Sequence, residues 1–197
     1  MWALVEDSTI TKIINNPKAM VIGDTRHSRK IFSLWSVAEK EAVGLYEIVF
    51  DNTNKKDEAY YTNTNQTFAF ADGVATASYG SATAKSLADR NGTDEDGVEL
   101  DPVVVIKGLK SKHKDIIKQQ ASGLLAPTDW YVIKATDVES YSVPSAITTY
   151  RANVRTKSND MEVLIDACST VDELAALYIY NDDEPPTRPL GVFPEVV

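Results

Sequence analysis

Gly80-Ser81-Ala82-Thr83-Ala84-Lys85-Ser86-Leu87-Ala88-Asp89-Arg90-Asn91-Gly92-Thr93-Asp94-Glu95-Asp96-Gly97-Val98-Glu99-Leu100-Asp101 divides the chain into two parts whose apolar residues follow different periods. Before it the signals are short β-type runs between turn residues; after it apolar residues recur three or four apart, the spacing of a helix face. The dividing stretch opens with small residues and continues with Asp89, Asp94, Glu95, Asp96, Glu99 and Asp101 among glycines, so residues 81–101 read as an acidic linker or long surface loop. Asp94-Glu95-Asp96-Gly97 touches on a calcium loop, but the spaced ligands and closing glutamate of an EF-hand are out of register. A solvated acidic loop is the expectation there.

Upstream, Trp2, Leu4 and Val5 precede an Asp7-Ser8 turn, and residues 9–14 are rich in β-branched side chains, which predicts a hairpin. Residues 18–22 add a strand before Gly23-Asp24. Ser36-Val37-Ala38-Glu39 has the capping-box pattern and Gly44 stands where a C-cap glycine belongs, predicting one short helix over 37–43. Strands follow at 45–50, 59–62, 67–70 and 74–79, the last two joined through Asp72-Gly73, a type I′ hairpin signal. Residues 1–80 thus read as an antiparallel β-rich domain.

Downstream, Ile106, Leu109, Ile116 or Ile117, Gln120 and Leu124 mark one helix face, with Lys107, Lys110, Lys114 and Lys118 in a neighbouring cationic stripe that reads as a solvated face. Pro127 ends that helix. A second helix begins after Val143-Pro144 and keeps Ile147, Tyr150, Val154, Met161, Leu164, Ile165 and Cys168 on one side. Thr170-Val171-Asp172-Glu173 is a capping box for a third. The expectation is an α+β chain: a β-rich N-terminal domain, a small three-helix domain over 102–180 and an extended Pro-rich tail over 181–197. Trp130 and Tyr131 are expected in the loop between the first two helices, where they either cap the helical core, the preferred reading, or anchor a partner. Arg151 and Arg155, four apart, share a face and can pair with Asp129 or Asp137. Leu190, Val192, Phe193 and Val196 give the tail an apolar end that suits a docked peptide.

With 197 residues, 43% apolar and 25% charged, the chain needs no disulfides or metals to build a core. A net charge of -9 and a pI near 4.7 weigh against nucleic acid as the main partner and toward proteins. Cys168, the single cysteine, reads as a small buried hydrophobe. No run approaches the ~18 apolar residues of a membrane helix, and no secretory n-region precedes an apolar core, so synthesis in the cytoplasm is expected and the Asn65 and Asn91 sequons are not read as glycan sites. His27 and His113 lack the partners that nucleophilic catalysis or zinc ligation needs, and neither GxxxxGK[ST] nor GxGxxG is present. A hydrolase reading would require paired carboxylates in a groove, and most acids fall in predicted loops and turns. No enzyme activity, cofactor or metal is expected.

Leu124-Leu125-Ala126-Pro127-Thr128-Asp129-Trp130-Tyr131-Val132, followed by Val143-Pro144 and Tyr150-Arg151-Ala152-Asn153-Val154-Arg155, resembles a module that recurs in bacteriophage tail proteins. There a basic helix runs into an LLAxTDWxV segment and then a VPxxxxxYRxxxR helix. Ile31-Phe32-Ser33-Leu34-Trp35-Ser36, with Glu39, Gly44, Leu45 and Tyr46, is similar to a segment found with that module. The resemblance implies a non-enzymatic tail part assembled in the host cytoplasm and carried in the virion, a baseplate or tail-tip component that attaches or stabilises tail fibres. It implies other tail proteins and further copies of the chain as partners, with Trp130, Tyr131, Arg151, Arg155 and Phe193 as candidate partner-binding residues. The alternative is a fibre-assembly chaperone that does not stay in the particle; the linker and the Pro-rich end depart from the short chaperone pattern.

Overall fold

Asp7 and Ser8 both stand at positive φ, 49° and 60°, which reverses the chain tightly between β1 (Trp2–Glu6) and β2 (Thr9–Ile14). The computed structural model describes residues 1–195, so Val196 of the expected apolar end lies outside the described residues. It divides into two units, Met1–Thr83 and Ala84–Val197. The chain is mixed α+β.

In the first unit, β3 (Met20–Ile22) and β4 (Thr25–His27) form a small hairpin over Gly23 and Asp24. Two short helices follow, α1 (Ile31–Leu34) and α2 (Val37–Glu41), where one was expected. The predicted capping box is formed: Ser36 Oγ accepts from the Glu39 N–H, and the Glu39 carboxylate accepts from the Ser36 N–H at 2.7 Å. The Ser36 N–H bond, and then the Ser36 hydroxyl donating to the same carboxylate at 2.7 Å, hold the Glu39 carboxyl below its ordinary pKa. Next come β5 (Leu45–Asp51), β6 (Tyr61–Thr62), β7 (Thr67–Ala71) and β8 (Val74–Ser78), with β9 (Thr83–Ala84) at the boundary. Asp72 and Gly73 turn at φ 51° and 77°, as the hairpin signal required.

The main sheet has the order β2-β1-β5-β8-β7. It is not purely antiparallel as expected: β5 and β8 run parallel, pairing Ile48 with Ala75 and Phe50 with Ala77. The reason is the hairpin itself. Because β8 returns along β7 and enters the sheet beside β5, with β7 placed outside it, the connection over residues 52–73 becomes a crossover. The sheet curls until its edge strands β2 and β7 approach, enclosing Ala3, Val5, Ile48, Ala75 and Ala77. Its other face is covered by Ile31 and Phe32 of α1, against Ile14 and Leu45.

In the second unit the acidic stretch is folded rather than a featureless linker. β10 (Arg90–Asn91) pairs antiparallel with β11 (Val105–Ile106), and Thr93 bridges Glu99 around a turn in which Asp94 Oδ1 accepts from the N–H groups of Asp96 and Val98 at 3.0 and 2.8 Å. Four helices follow among the described residues, where three were expected: α3 (Leu109–Leu125), α4 (Asp129–Asp137), α5 (Ser145–Ala167) and α6 (Val171–Ala176). Pro127 does stop α3, within a 3-10 turn Ala126–Thr128, but the chain re-enters a helix at once, so Trp130 and Tyr131 lie on α4 and not in a loop. Proline fits the first turn of a helix because its missing N–H would be unpaired there anyway. The Thr170–Glu173 capping box of α6 is present as predicted.

Candidate partner-binding site

The start of α3 is capped from a distance, by a residue nineteen positions upstream of its N-cap glycine. Gly108 offers no side chain, and Asp89 supplies the carboxylate instead: Oδ1 accepts from the Gly108 N–H at 2.8 Å and Oδ2 from Ser111 Oγ at 2.9 Å. The Gly108 bond, then the Ser111 bond, hold the Asp89 carboxyl below its usual pKa. A side chain at 108 has no room, because its Cβ would sit 2.4 Å from the Ala88 carbonyl oxygen.

At the other end of α3 the two motif halves are bonded to each other. Tyr150 Oη donates to the Leu124 carbonyl at 3.3 Å, and the Arg151 guanidinium donates to the Leu125 carbonyl at 3.0 Å and to Thr128 Oγ1 at 2.5 Å. Arg151 also meets Asp129 Oδ1 at 2.8 Å, one of the two pairings expected from sequence. The carbonyls at a helix C-terminus lack intrahelical partners, so a buried cation from α5 satisfies them and finds its counter-charge one turn on. Arg151 is 8% exposed. In this structure it is a clamp between α3 and α5.

Trp130 is different. It is 50% exposed, its ring tilted against Tyr131 at 4.0 Å, with Lys134 Nζ 5.6 Å above it. Val132 and Ile133 are also exposed, and α4 buries none of its nine residues. The preferred expectation, that Trp130 caps the helical core, does not hold. The core between α3 and α5 is filled by Ala121, Tyr150 and Val154, with Leu124, Leu125 and Phe193 packed on them. Phe193 is therefore engaged within the chain, and Leu190 beside it is fully buried, its N–H donating to the Leu177 carbonyl at 3.0 Å. Of the apolar end, Leu190 and Phe193 dock the tail, while Val192 is exposed.

Next to α4 an open groove of about 520 Å³ runs between α3 and α5, lined by Lys118, Ser122, Asp129, Arg155, Ser158 and Glu162 among others. Arg155 is exposed there and donates to the Arg151 carbonyl at 3.5 Å; among the described residues it has no ion-pair partner. Arg151, Arg155, Ser158 and Glu162 fall four, three and four residues apart, a polar stripe on one helix face that was legible in the sequence beyond its two arginines.

The lysine stripe of α3 is not a free cationic face. Lys114 reaches Asp166 at 2.8 Å, Lys118 reaches Glu162 at 3.2 Å, and Lys107 reaches Asp115 at 2.6 Å. The Asp166 and Asp115 bonds raise the pKa of Lys114 and Lys107 respectively. His113, on the same helix, is half-buried with Nδ1 2.7 Å from Tyr178 Oη, and burial lowers its pKa. His27 meets the Trp35 ring edge-on at 5.2 Å. Cys168 is buried; burial first, then Glu173, pushes its thiol pKa up, away from reactivity. The groove lining contains no histidine or cysteine among the described residues. It offers charge pairing and hydrogen bonding to a ligand beside an aromatic, apolar helix.

No helix of the described residues is long and apolar enough to cross a membrane. No family model matches the chain, and no curated protein or solved structure matches it.

Proposed function

We propose that this chain is a non-enzymatic structural protein of a bacteriophage tail, a baseplate or tail-tip component that attaches or stabilises tail fibres, and that α4 with the Arg155 groove is its fibre-binding face. The attribution to a tail rests on the sequence resemblance. The observation that carries the binding face is α4: no residue of this helix is fully buried, and it presents Trp130, Val132 and Ile133 to solvent, apolar surface that the monomer does not use. Tryptophan and arginine are the residues that most often dominate interface energetics. Quantitative mass spectrometry of gradient-purified particles tests the reading: the chain is expected at a small fixed ratio to the major tail proteins, and Trp130→Ala with Arg155→Ala is expected to remove it from particles while it accumulates in the lysate. Abundance of the unaltered chain in the lysate, with none in particles, would replace the virion role by that of a fibre-assembly chaperone.

A further inference from the structure

The groove between α3 and α5 contains charges that are already paired and donors that are not. Asp129 is taken by Arg151 at 2.8 Å and Glu162 by Lys118 at 3.2 Å. Arg155 lines the same groove without an ion-pair partner among the described residues, and its one hydrogen bond there is long, 3.5 Å to the Arg151 carbonyl. A guanidinium has five N–H donors in a planar fork, so most of its bonding capacity is unused. One turn on, Ser158 is only 7% exposed, yet its hydroxyl has no hydrogen-bond partner among the described residues. No side-chain oxygen or nitrogen of those residues is sealed from solvent without a partner, so the Ser158 hydroxyl opens into the groove that the residue lines. Polar side chains buried this deeply are normally bonded within the protein. An unbonded hydroxyl three residues from an unpaired cation, on one helix face, supplies the donors that an oxyanion needs.

We propose that this groove receives a carboxylate side chain of a partner protein, with the Arg155 guanidinium donating to both its oxygens and the Ser158 hydroxyl donating to a remaining lone pair. The lining selects a single negative charge. Lys118, Arg151 and Arg155 against Asp129 and Glu162 leave one positive charge over, which one carboxylate cancels. A phosphate dianion would meet the two fixed carboxylates with only that one cation to offset it. A net charge of -9 gives the chain no long-range field that draws anions in, so recognition has to be local. The groove is also open rather than enclosing, and the exposed Trp130 follows Asp129 directly, which suits a side chain carried on a protein surface better than a free acid. The inference rests on the reading of α4 and the groove as a binding face, but not on the tail assignment.

Titration of the isotope-labelled full chain with acetyl-tetraglutamate amide, followed through backbone amide chemical shifts, tests it. Saturable shifts are expected around Arg155, Ser158 and the facing part of α3, absent with the tetraglutamine peptide and weaker with inorganic phosphate. Arg155→Gln should weaken the peptide at least about tenfold and Ser158→Ala about threefold. Ser158→Ala should leave the thermal midpoint unchanged or higher, because the hydroxyl bonds nothing in the fold and alanine favours the helix. Shifts that do not saturate, equal binding of the glutamine peptide, phosphate as tight as the glutamate peptide, or an unaltered titration with Arg155→Gln would overturn the proposal. Its failure is distinct from that of the binding face. If the peptide does not bind but Trp130→Ala with Arg155→Ala is still lost from particles, the face stands without the carboxylate; if the peptide binds and that variant stays in particles, the carboxylate site stands without a fibre role.

Discussion

The two units are held together by different physics. In the N-terminal unit the order comes from apolar alternation and from backbone turns: Ala3, Ala75 and Ala77 are fully buried, and tight positive-φ turns at Asp7-Ser8 and Asp72-Gly73 set the strand registers. In the C-terminal unit polar side chains do the corresponding work, with Asp89 starting α3, Arg151 finishing it and Lys114 and Lys118 tying its face to α5. Sheets gain their hydrogen bonds from neighbouring strands, so their side chains need only pack; helix ends leave backbone groups over, and another residue must take them. A substitution in the first unit should therefore act through space and φ, and one in the second through lost bonds and charge.

The largest effect is expected from Gly44→Ala. Gly44 sits at φ 76°, its carbonyl accepts from the Val5 N–H at 2.8 Å, and an added Cβ would lie 2.3 Å from the Val5 carbonyl oxygen. Strain and overpacking together should cost about 3 kcal/mol or more, seen as faster hydrogen exchange throughout residues 1–83. Exchange left at the wild-type rate would show that backbone geometry does not control this unit. Arg151→Ala should cost about 1.5–3 kcal/mol, because it removes the guanidinium's bonds to the Leu125 carbonyl, Thr128 and Asp129 and with them the interhelix clamp, leaving Thr128 Oγ1 as the carbonyl's remaining donor at 2.7 Å. Arg151→Lys should recover only a fraction, since one ammonium cannot span Leu125, Thr128 and Asp129 as the planar guanidinium does. Full recovery by lysine in thermal unfolding would reduce the clamp to a bare charge.

Two smaller effects read out as pH dependence. The folded pKa of Asp89 lies below its unfolded value, so its contribution is complete above pH ~4 and is lost as the pH falls through the folded value. Asp89→Asn should shallow that acid limb, and an unchanged limb would remove Asp89 from the start of α3. His113 is neutralised by burial, so its folded pKa also lies below its unfolded one; stability is full above pH ~6.5 and declines as the pH drops toward the folded value. Urea midpoints for His113→Gln should lack that decline, and an identical slope in both proteins would count against it.

Local chemistry was readable where it closes within a few residues. Both capping boxes, the Asp72-Gly73 turn and the helix register of Ile147, Tyr150, Val154, Met161 and Ile165 follow from spacing alone, because the bonds and faces involved lie within a turn or a strand. The candidate site was half legible. Asp129 as a partner of Arg151 followed from charge and proximity, while the exposure of Trp130 did not, because an aromatic flanked by Val132 and Ile133 reads the same whether its helix is covered or bare.

By itself, then, the sequence determined element types, turns, caps and the break in period near residue 80, all consequences of backbone chemistry acting over short spans. The tertiary structure alone decided that β5 and β8 run parallel, that Lys114 and Lys118 are paired by α5, that Phe193 is packed on the helical core while Trp130 is half exposed, and that Val103 to Ile106 are exposed. Each of these depends on which distant segments meet, and burial and ion pairing are properties of that meeting rather than of any residue taken alone.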